Sequence, residues 1–146
     1  MINPFDDTYF MKKALQEAEI ALHKGEVPVG AVIVCNNQII AKGHNQVKTL
    51  NDATAHAEML AFTAATNYLG SKYLKDCILY VTLEPCQMCA GAAFWSQIGR
   101  IVFAASDEQR GYQHWHCKVH PKTTVSKGIL AAESEALLQQ FFKKLR

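Results

Sequence analysis

The chain has 146 residues, of which 49% are hydrophobic and 19% charged, and its formal net charge is +2. This length suits one domain, and the balance of apolar and charged residues excludes an intrinsically disordered chain. No apolar run approaches the roughly 20 residues of a membrane span. Residues 1–10 lack the basic-then-apolar pattern of a signal peptide, so we expect a cytoplasmic protein without membrane contacts.

The first half of the chain predicts a helix, two strands and a second helix. Apolar residues recur at helical spacing over residues 8–22, and residues 6–8 supply capping candidates. Residues 29–35 and 38–43 predict two short strands joined by a turn. Residues 56–68 predict the second helix.

The second half continues the alternation of strands and helices. Residues 77–82 form an apolar run that is typical of a buried strand. Glu84 and Pro85 open a helix that extends to about residue 96, because proline is favoured at the first helical position. Residues 101–105 predict a fourth strand, and residues 106–124 predict mostly loop with some helix.

A final helix over residues 132–145 completes the pattern, and we expect it to bury its apolar side chains, Leu137, Leu138, Phe141 and Phe142. Strands that alternate with helices indicate an α/β fold, here a three-layer α/β/α sandwich around a mixed sheet. We expect residues 1–146 to form a single domain.

One spaced motif carries chemistry. His56 and Glu58 form H-x-E, and Pro85, Cys86 and Cys89 form P-C-x-x-C further along the chain. Each half lies at the start of a predicted helix, where the helix dipole favours the thiolate form of cysteine. We therefore expect His56, Cys86 and Cys89 to bind one Zn²⁺ per chain.

The number of ligands points to catalysis. Three protein ligands leave the fourth zinc position open, as in catalytic sites, whereas structural zinc sites are closed by four. Glu58 is not needed as a ligand, and a carboxylate beside a hydrolytic zinc ion transfers protons. We therefore predict that Glu58 is the catalytic acid and base.

Two other interpretations of the cysteine and histidine residues stay open. A closed structural zinc site would need a fourth ligand, taken from another histidine or from Cys35, Cys77 or Cys117. That interpretation leaves Glu58 without a role. A second metal site or a loop beside the first site would account for a further group, formed by His114, His116, Cys117 and His120.

The motif and its surroundings resemble the cytidine deaminase superfamily, whose signature is H-x-E with P-C-x-x-C. Within it, the chain is similar to the bacterial tRNA-specific adenosine deaminases. The resemblance covers nearly the whole chain through the segments EVPVGAVIV, GHN, DATAHAE, LYVTLEPCQMCAGA, IGRIVFAASD and FFKKLR. It implies a sheet of five strands, a homodimer, and hydrolytic deamination of the wobble adenosine of a tRNA anticodon to inosine.

The resemblance also implies substrate contacts. Asn45 would contact the flipped-out nucleoside, Val27 and Pro28 would help to form its pocket, and Asp107 would lie where the backbone of the anticodon loop is held. Basic side chains outnumber acidic ones eight to four in residues 98–146, which is compatible with a polyanionic partner.

Some residues depart from the family pattern. Ala53 stands where the family usually has proline, Trp95 is similar to the related guanine deaminases, and residues 112–119 are unusual. A deaminase of a free base or nucleoside, of guanine or cytosine type, is therefore an alternative. An alternative from another class is a non-catalytic, zinc-stabilised RNA-binding subunit, and a third is a Cys-His enzyme with Cys86 as its nucleophile.

Overall fold

The computed structural model describes residues 4–145, in which helices and strands alternate. The helices are α1 (Asp7–His23), α2 (Ala57–Leu69), α3 (Gln87–Ser96) and α4 (Ala131–Lys144). The strands are β1 (Gly30–Cys35), β2 (Gln38–His44), β3 (Cys77–Leu83), β4 (Arg100–Ala105) and β5 (Thr124–Lys127). Residues 1–3 and 146 of the predicted domain 1–146, including the end of FFKKLR, lie outside the described residues.

The strands form one mixed sheet in the order β2-β1-β3-β4-β5. β1 pairs antiparallel with both β2 and β3, whereas β3, β4 and β5 run parallel to one another. The parallel register places Leu83 beside Ala105, so β3 and β4 end at the same edge of the sheet. The turn that leads into α3 and the loop that follows β4 therefore begin side by side.

Helices cover both faces of the sheet. Successive side chains of a strand point to opposite faces, and β3 shows the consequence. Leu79 and Val81 pack in the core beneath α2 and α3, whereas Tyr80 packs against Phe10 on the α1 face, which α4 also covers. The three-layer α/β/α sandwich around a mixed five-stranded sheet is thus confirmed.

Two predicted boundaries are wrong. α3 begins at Gln87 and not at Pro85, because Cys86 is extended and Pro85 accepts a hydrogen bond from the Tyr112 amide to its carbonyl. The loop predicted for residues 106–124 contains no helix in the structure, and it ends in β5, the fifth strand, whose position the apolar pattern did not indicate. β5 has only four mostly exposed residues, so its apolar pattern is weak.

The last helix also differs from its prediction. Ser134 is its buried residue; Leu137, Leu138 and Phe141 are half-buried, and Phe142 is 49% exposed. Leu138 and Phe142 border a cavity at the sheet edge, which explains why they are not covered. None of the described helices is long and apolar enough to cross a membrane.

Candidate active site

Two helix starts meet below the sheet edge and supply the candidate metal ligands. α2 begins directly after His56 and α3 directly after Cys86, and both of these residues have extended backbones. Neither side chain caps its helix by a hydrogen bond, unlike Asp6, whose carboxylate accepts the Tyr9 amide at the start of α1. The two side chains are therefore available to each other, and Cys89 joins them from the first turn of α3.

The donor atoms of the three residues converge. His56 Nδ1 lies 3.6 Å from Cys86 Sγ and 3.6 Å from Cys89 Sγ. All three donor atoms lie within 4.8 Å of one another. A tetrahedral zinc ion with Zn–S of about 2.3 Å and Zn–N of about 2.0–2.1 Å separates its sulfur and nitrogen ligands by roughly 3.6 Å. The cluster therefore fits zinc in both donor type and spacing.

The cluster also has the electrostatics of a cation site. The hydrogen bond from Cys89, with help from His56, lowers the pKa of Cys86 to about 4. The same shared proton and burial raise the pKa of Cys89, because two adjacent thiolates repel each other. The hydrogen bond to Cys86 raises the pKa of His56. A divalent cation would balance both thiolates at once, which a shared proton cannot do.

Glu58 lies in the first turn of α2 and is 4% exposed. Its carboxyl group lies beside the Cys89 thiol, and each of the two groups influences the pKa of the other. Burial raises the pKa of Glu58 to about 7, and repulsion from Cys86 contributes to the rise. The carboxyl therefore lies beside the cluster, and a pKa near neutral allows it both to accept and to donate a proton.

The cluster opens into a cavity of about 760 Å³. Cavities of this size hold ligands of drug-like dimensions, so there is room for more than one nucleobase. His56, Glu58 and Cys86 line it, together with exposed residues of the segment 106–110. The cavity is therefore continuous with the protein surface on the side of the loop that follows β4.

The structure brings three of the four predicted substrate contacts to this cavity. Val27, Asn45 and Asp107 line it, whereas Pro28 is buried and is not among the lining residues. Asn45 Oδ1 accepts the Ala57 amide at 2.9 Å, which ties this side chain to the start of α2.

Two buried carboxylates in the cavity wall were missed by the sequence analysis. Glu26 is 3% exposed and Glu84 is 6% exposed, and both line the cavity. A lone glutamate ordinarily indicates a surface position, so the pattern gave them no role. A usable signal is their position beside apolar runs, at the start of EVPVGAVIV and near the end of LYVTLEPC, one or two residues before a proline.

The remaining cysteine and histidine residues lie elsewhere. Within residues 4–145, the cluster at His56 is the only group of three or more side chains that could hold a metal ion. The rings of the second group instead pack on aromatic side chains, His114 on Trp115 and His120 on Phe94. Neither a fourth ligand for a closed zinc site nor a second metal site is therefore present among those residues.

Comparisons with known proteins agree with this geometry. Residues 5–105 match the family model of the cytidine and deoxycytidylate deaminase zinc-binding region. A tRNA-specific adenosine deaminase of Aquifex aeolicus is 47% identical over 143 residues, which cover 94% of this chain and 95% of the relative.

Solved structures give the same result. A structure from studies of A-to-I editing by tRNA:A34 deaminases at the wobble position superposes with a TM-score of 0.82 at 39% identity, over 90% of this chain and 99% of the other. A guanine deaminase from Nitrosomonas europaea has a TM-score of 0.79 at 25% identity, over 97% and 85% of the two chains. The chain therefore belongs to the zinc-binding cytidine and deoxycytidylate deaminase family.

Proposed function

We propose that this enzyme deaminates the wobble adenosine of a tRNA anticodon to inosine, with one zinc ion per chain. The observation that carries the proposal is a His-Cys-Cys cluster beside a buried glutamate, at the base of a cavity that continues to the surface. The relative from Aquifex aeolicus, named a tRNA-specific adenosine deaminase, matches this chain almost end to end. Since the substrate would be tRNA, we place the enzyme in the cytoplasm.

The zinc ion would be held by His56 Nδ1, Cys86 Sγ and Cys89 Sγ, and when bound it supplies the Lewis acidity that makes water a nucleophile near neutral pH. Two thiolates offset the charge of the ion, so a positioned base matters more here than in an all-histidine site. Glu58 is that base, because its carboxyl group lies beside Cys89 at the cavity base.

Glu58 would move protons in two directions. It takes a proton from the attacking water and delivers it to the ring nitrogen next to the amine-bearing carbon. It then passes the second water proton to the departing amine, which leaves as ammonia, while the carbon–nitrogen bond breaks and a carbonyl remains. Water and adenosine are thereby converted to inosine and ammonia, and Glu58 returns to its starting state.

The substrate base would enter between residues from three segments. Asn45 uses its amide oxygen on Ala57, so its amide NH₂ is the group that can donate to the nucleoside. Val27 would supply apolar contact to the base, and the buried Pro28 would fix the backbone next to Val27. Asp107 borders the open side, where the RNA backbone of the loop would pass.

The enzyme would act as a homodimer. α2 and α3 cover the same face of the sheet, and each ends in a large exposed apolar side chain, with Tyr68 66% exposed and Trp95 77% exposed. Such residues are frequent in interfaces between subunits. Sedimentation of the purified protein at micromolar concentration would test this, and the monomer mass alone would contradict it.

The first experiment is inosine formation by purified, zinc-loaded protein on a short anticodon stem-loop RNA with adenosine at the wobble position. Free adenosine, guanine and cytosine are assayed in parallel for ammonia. Inosine in the RNA with no ammonia from the free compounds supports the proposal. Ammonia from guanine with no reaction on RNA would instead make this a free-base deaminase. Its activity would then be that of the similar guanine deaminase from Nitrosomonas europaea.

A further inference from the structure

We propose that Glu26 and Glu84 are positioning residues, each of which fixes one exposed wall of the substrate cavity through hydrogen bonds from backbone amides. The inference rests on the proposed function, since it assigns the residues that shape the site for its RNA substrate. Both carboxylates line the cavity and are almost fully buried, but neither belongs to the metal-binding group.

Glu84 holds the loop that follows β4. Its Oε1 accepts the Asp107 amide at 3.0 Å, and its Oε2 accepts the Gln113 amide at 3.1 Å. One carboxylate thus joins the two ends of the segment 107–113, of which residues 108–110 are exposed. Glu84 is followed directly by Pro85 and Cys86. It therefore joins the 107–113 loop to the segment that carries a metal ligand.

Gly111 shows how closely the loop fits this carboxylate. A Cβ atom built at position 111 would overlap the Glu84 carboxyl group and the Asp107 carbonyl oxygen. The Gly111 amide donates to that same Asp107 carbonyl, and Gly111 forms a bridge with Cys86. The loop therefore reaches its position only because residue 111 has no side chain and residue 84 has two acceptor oxygens.

Glu26 does the same for the loop between β2 and α2. Its Oε1 accepts the Lys48 amide at 3.1 Å, and its Oε2 accepts the Thr49 amide at 2.6 Å and the Thr49 hydroxyl at 2.7 Å. Burial alone would raise the pKa of Glu26, but these hydrogen bonds from Thr49 and Lys48 outweigh it and hold the pKa below its usual value. Residues 48–54 are exposed, so this anchor replaces packing that the segment lacks.

The choice of glutamate at both positions has a physical reason. A carboxylate accepts through two oxygens and satisfies two amides that face the same way, and charged acceptors bind amides more strongly than neutral ones. Exposed loops without buried contacts open at low free-energy cost. Anchoring them from inside keeps the outer surface of each loop free for RNA, and it presents Asp107 on one wall and Val47 on the other.

The test compares Glu84→Gln and Glu26→Gln with the wild-type enzyme, and uses Glu19→Gln, at an exposed position of α1, as the matched control. Glutamine keeps the shape of glutamate but turns an NH₂ group towards one of the two amides. We expect KM for the stem-loop RNA to rise about tenfold or more, with kcat within about twofold and zinc content unchanged. Gly111→Ala is a second way to displace the 107–113 loop, and its effect should not add to that of Glu84→Gln.

Hydrogen exchange measured by mass spectrometry gives a readout that does not depend on activity. Glu84→Gln should speed exchange in residues 107–113 about tenfold or more, and Glu26→Gln should do so in residues 46–52, with the strands unaffected. Unchanged KM and exchange would overturn the proposal, and so would a loss of kcat at constant KM or a uniform rise in exchange. If wild-type protein forms no inosine, the proposed function fails, and the exchange data still decide whether the two carboxylates hold these loops.

Discussion

The two faces of the sheet use the start of a helix in opposite ways. On the α1 face, Asp6 caps the helix, and the next carboxylate, Asp7, binds Arg100 at 2.7 and 2.8 Å and the Tyr80 hydroxyl at 2.7 Å. On the α2 and α3 face, His56 and Cys86 occupy the same cap position without a capping hydrogen bond.

The starts of α2 and α3 give up a stabilising cap in order to carry metal-binding side chains. A capping side chain satisfies amides that the first turn of a helix leaves unpaired, at a gain of about 0.5–2 kcal/mol. At α2 and α3 the cap residues carry metal donors instead, and Asn45 recovers part of the loss by accepting the Ala57 amide. The α1 face should therefore respond to mutation in stability, and the α2 and α3 face in zinc content and turnover.

Removal of a metal donor should have the largest effect. We expect Cys86→Ala to lose stoichiometric zinc and all measurable deamination, because two donors remain of three and Cys89 loses its proton partner. Zinc content by atomic absorption and inosine formation measure both losses. Cys117→Ala, which removes a half-buried thiol outside the cluster, is the matched control. Full zinc content in Cys86→Ala would contradict the ligand assignment.

Removal of the proposed proton carrier should separate chemistry from metal binding on the same face. We expect Glu58→Gln to keep zinc and to lower kcat by roughly 10²–10⁴-fold, since glutamine fills the same volume but cannot take a proton from water. Inosine formation per bound zinc is the measurement. Substantial remaining turnover, or protein that no longer binds zinc, would count against the role of Glu58.

The cluster was predictable from sequence because local structure alone sets much of its geometry. His56, Cys86 and Cys89 stand at helix starts that the sequence places to within two residues, so their convergence needed only one correct packing of two helices. Glu26 and Glu84 were not predictable in this way. Their roles depend on loops whose positions no periodicity encodes, and on burial that arises only when the sheet is assembled.

The fold was predicted less well at its periphery. β5 is the edge strand next to β4, and α4 packs on β4. Both leave apolar residues exposed, Val125 in β5 and Phe142 in α4. A pattern of apolar residues predicts a buried face, but it does not tell whether the chain itself or something outside it covers that face. Helix α1, in contrast, matched its pattern closely, with Met11, Ala14 and Ala18 fully buried.

The ionic contacts of Asp7 should give the larger stability effect on the α1 face. We expect Asp7→Asn to lower the free energy of unfolding by about 1.5 kcal/mol, the low end for hydrogen bonds to charged groups, because both partners are about 30% exposed. Urea unfolding of both proteins is the measurement, with zinc content and turnover unchanged.

The same pair makes a pH-dependent contribution. The hydrogen bond from Arg100 lowers the pKa of Asp7 in the folded protein. Its stabilisation is therefore complete above the unfolded pKa of about 3.9 and is lost as the pH falls through the lower folded value. The stability difference between wild type and Asp7→Asn should be constant from pH 5 to 7 and shrink below about pH 4. A difference that stays constant into that acid range would show that the charge of Asp7 is not its source.

Loss of the α1 cap should have the smallest effect. Asp6→Ala removes the acceptor of the Tyr9 amide and should lower the free energy of unfolding by about 1 kcal/mol, the typical value for a lost cap, with the loss concentrated at the start of α1. Asp6→Asn retains an acceptor oxygen and should recover most of the loss. Zinc content, KM and kcat should match those of the wild type in both variants. If Asp6→Ala altered zinc binding, the two faces of the sheet would be coupled. The cap positions of α2 and α3 would then not hold the metal independently of the α1 face.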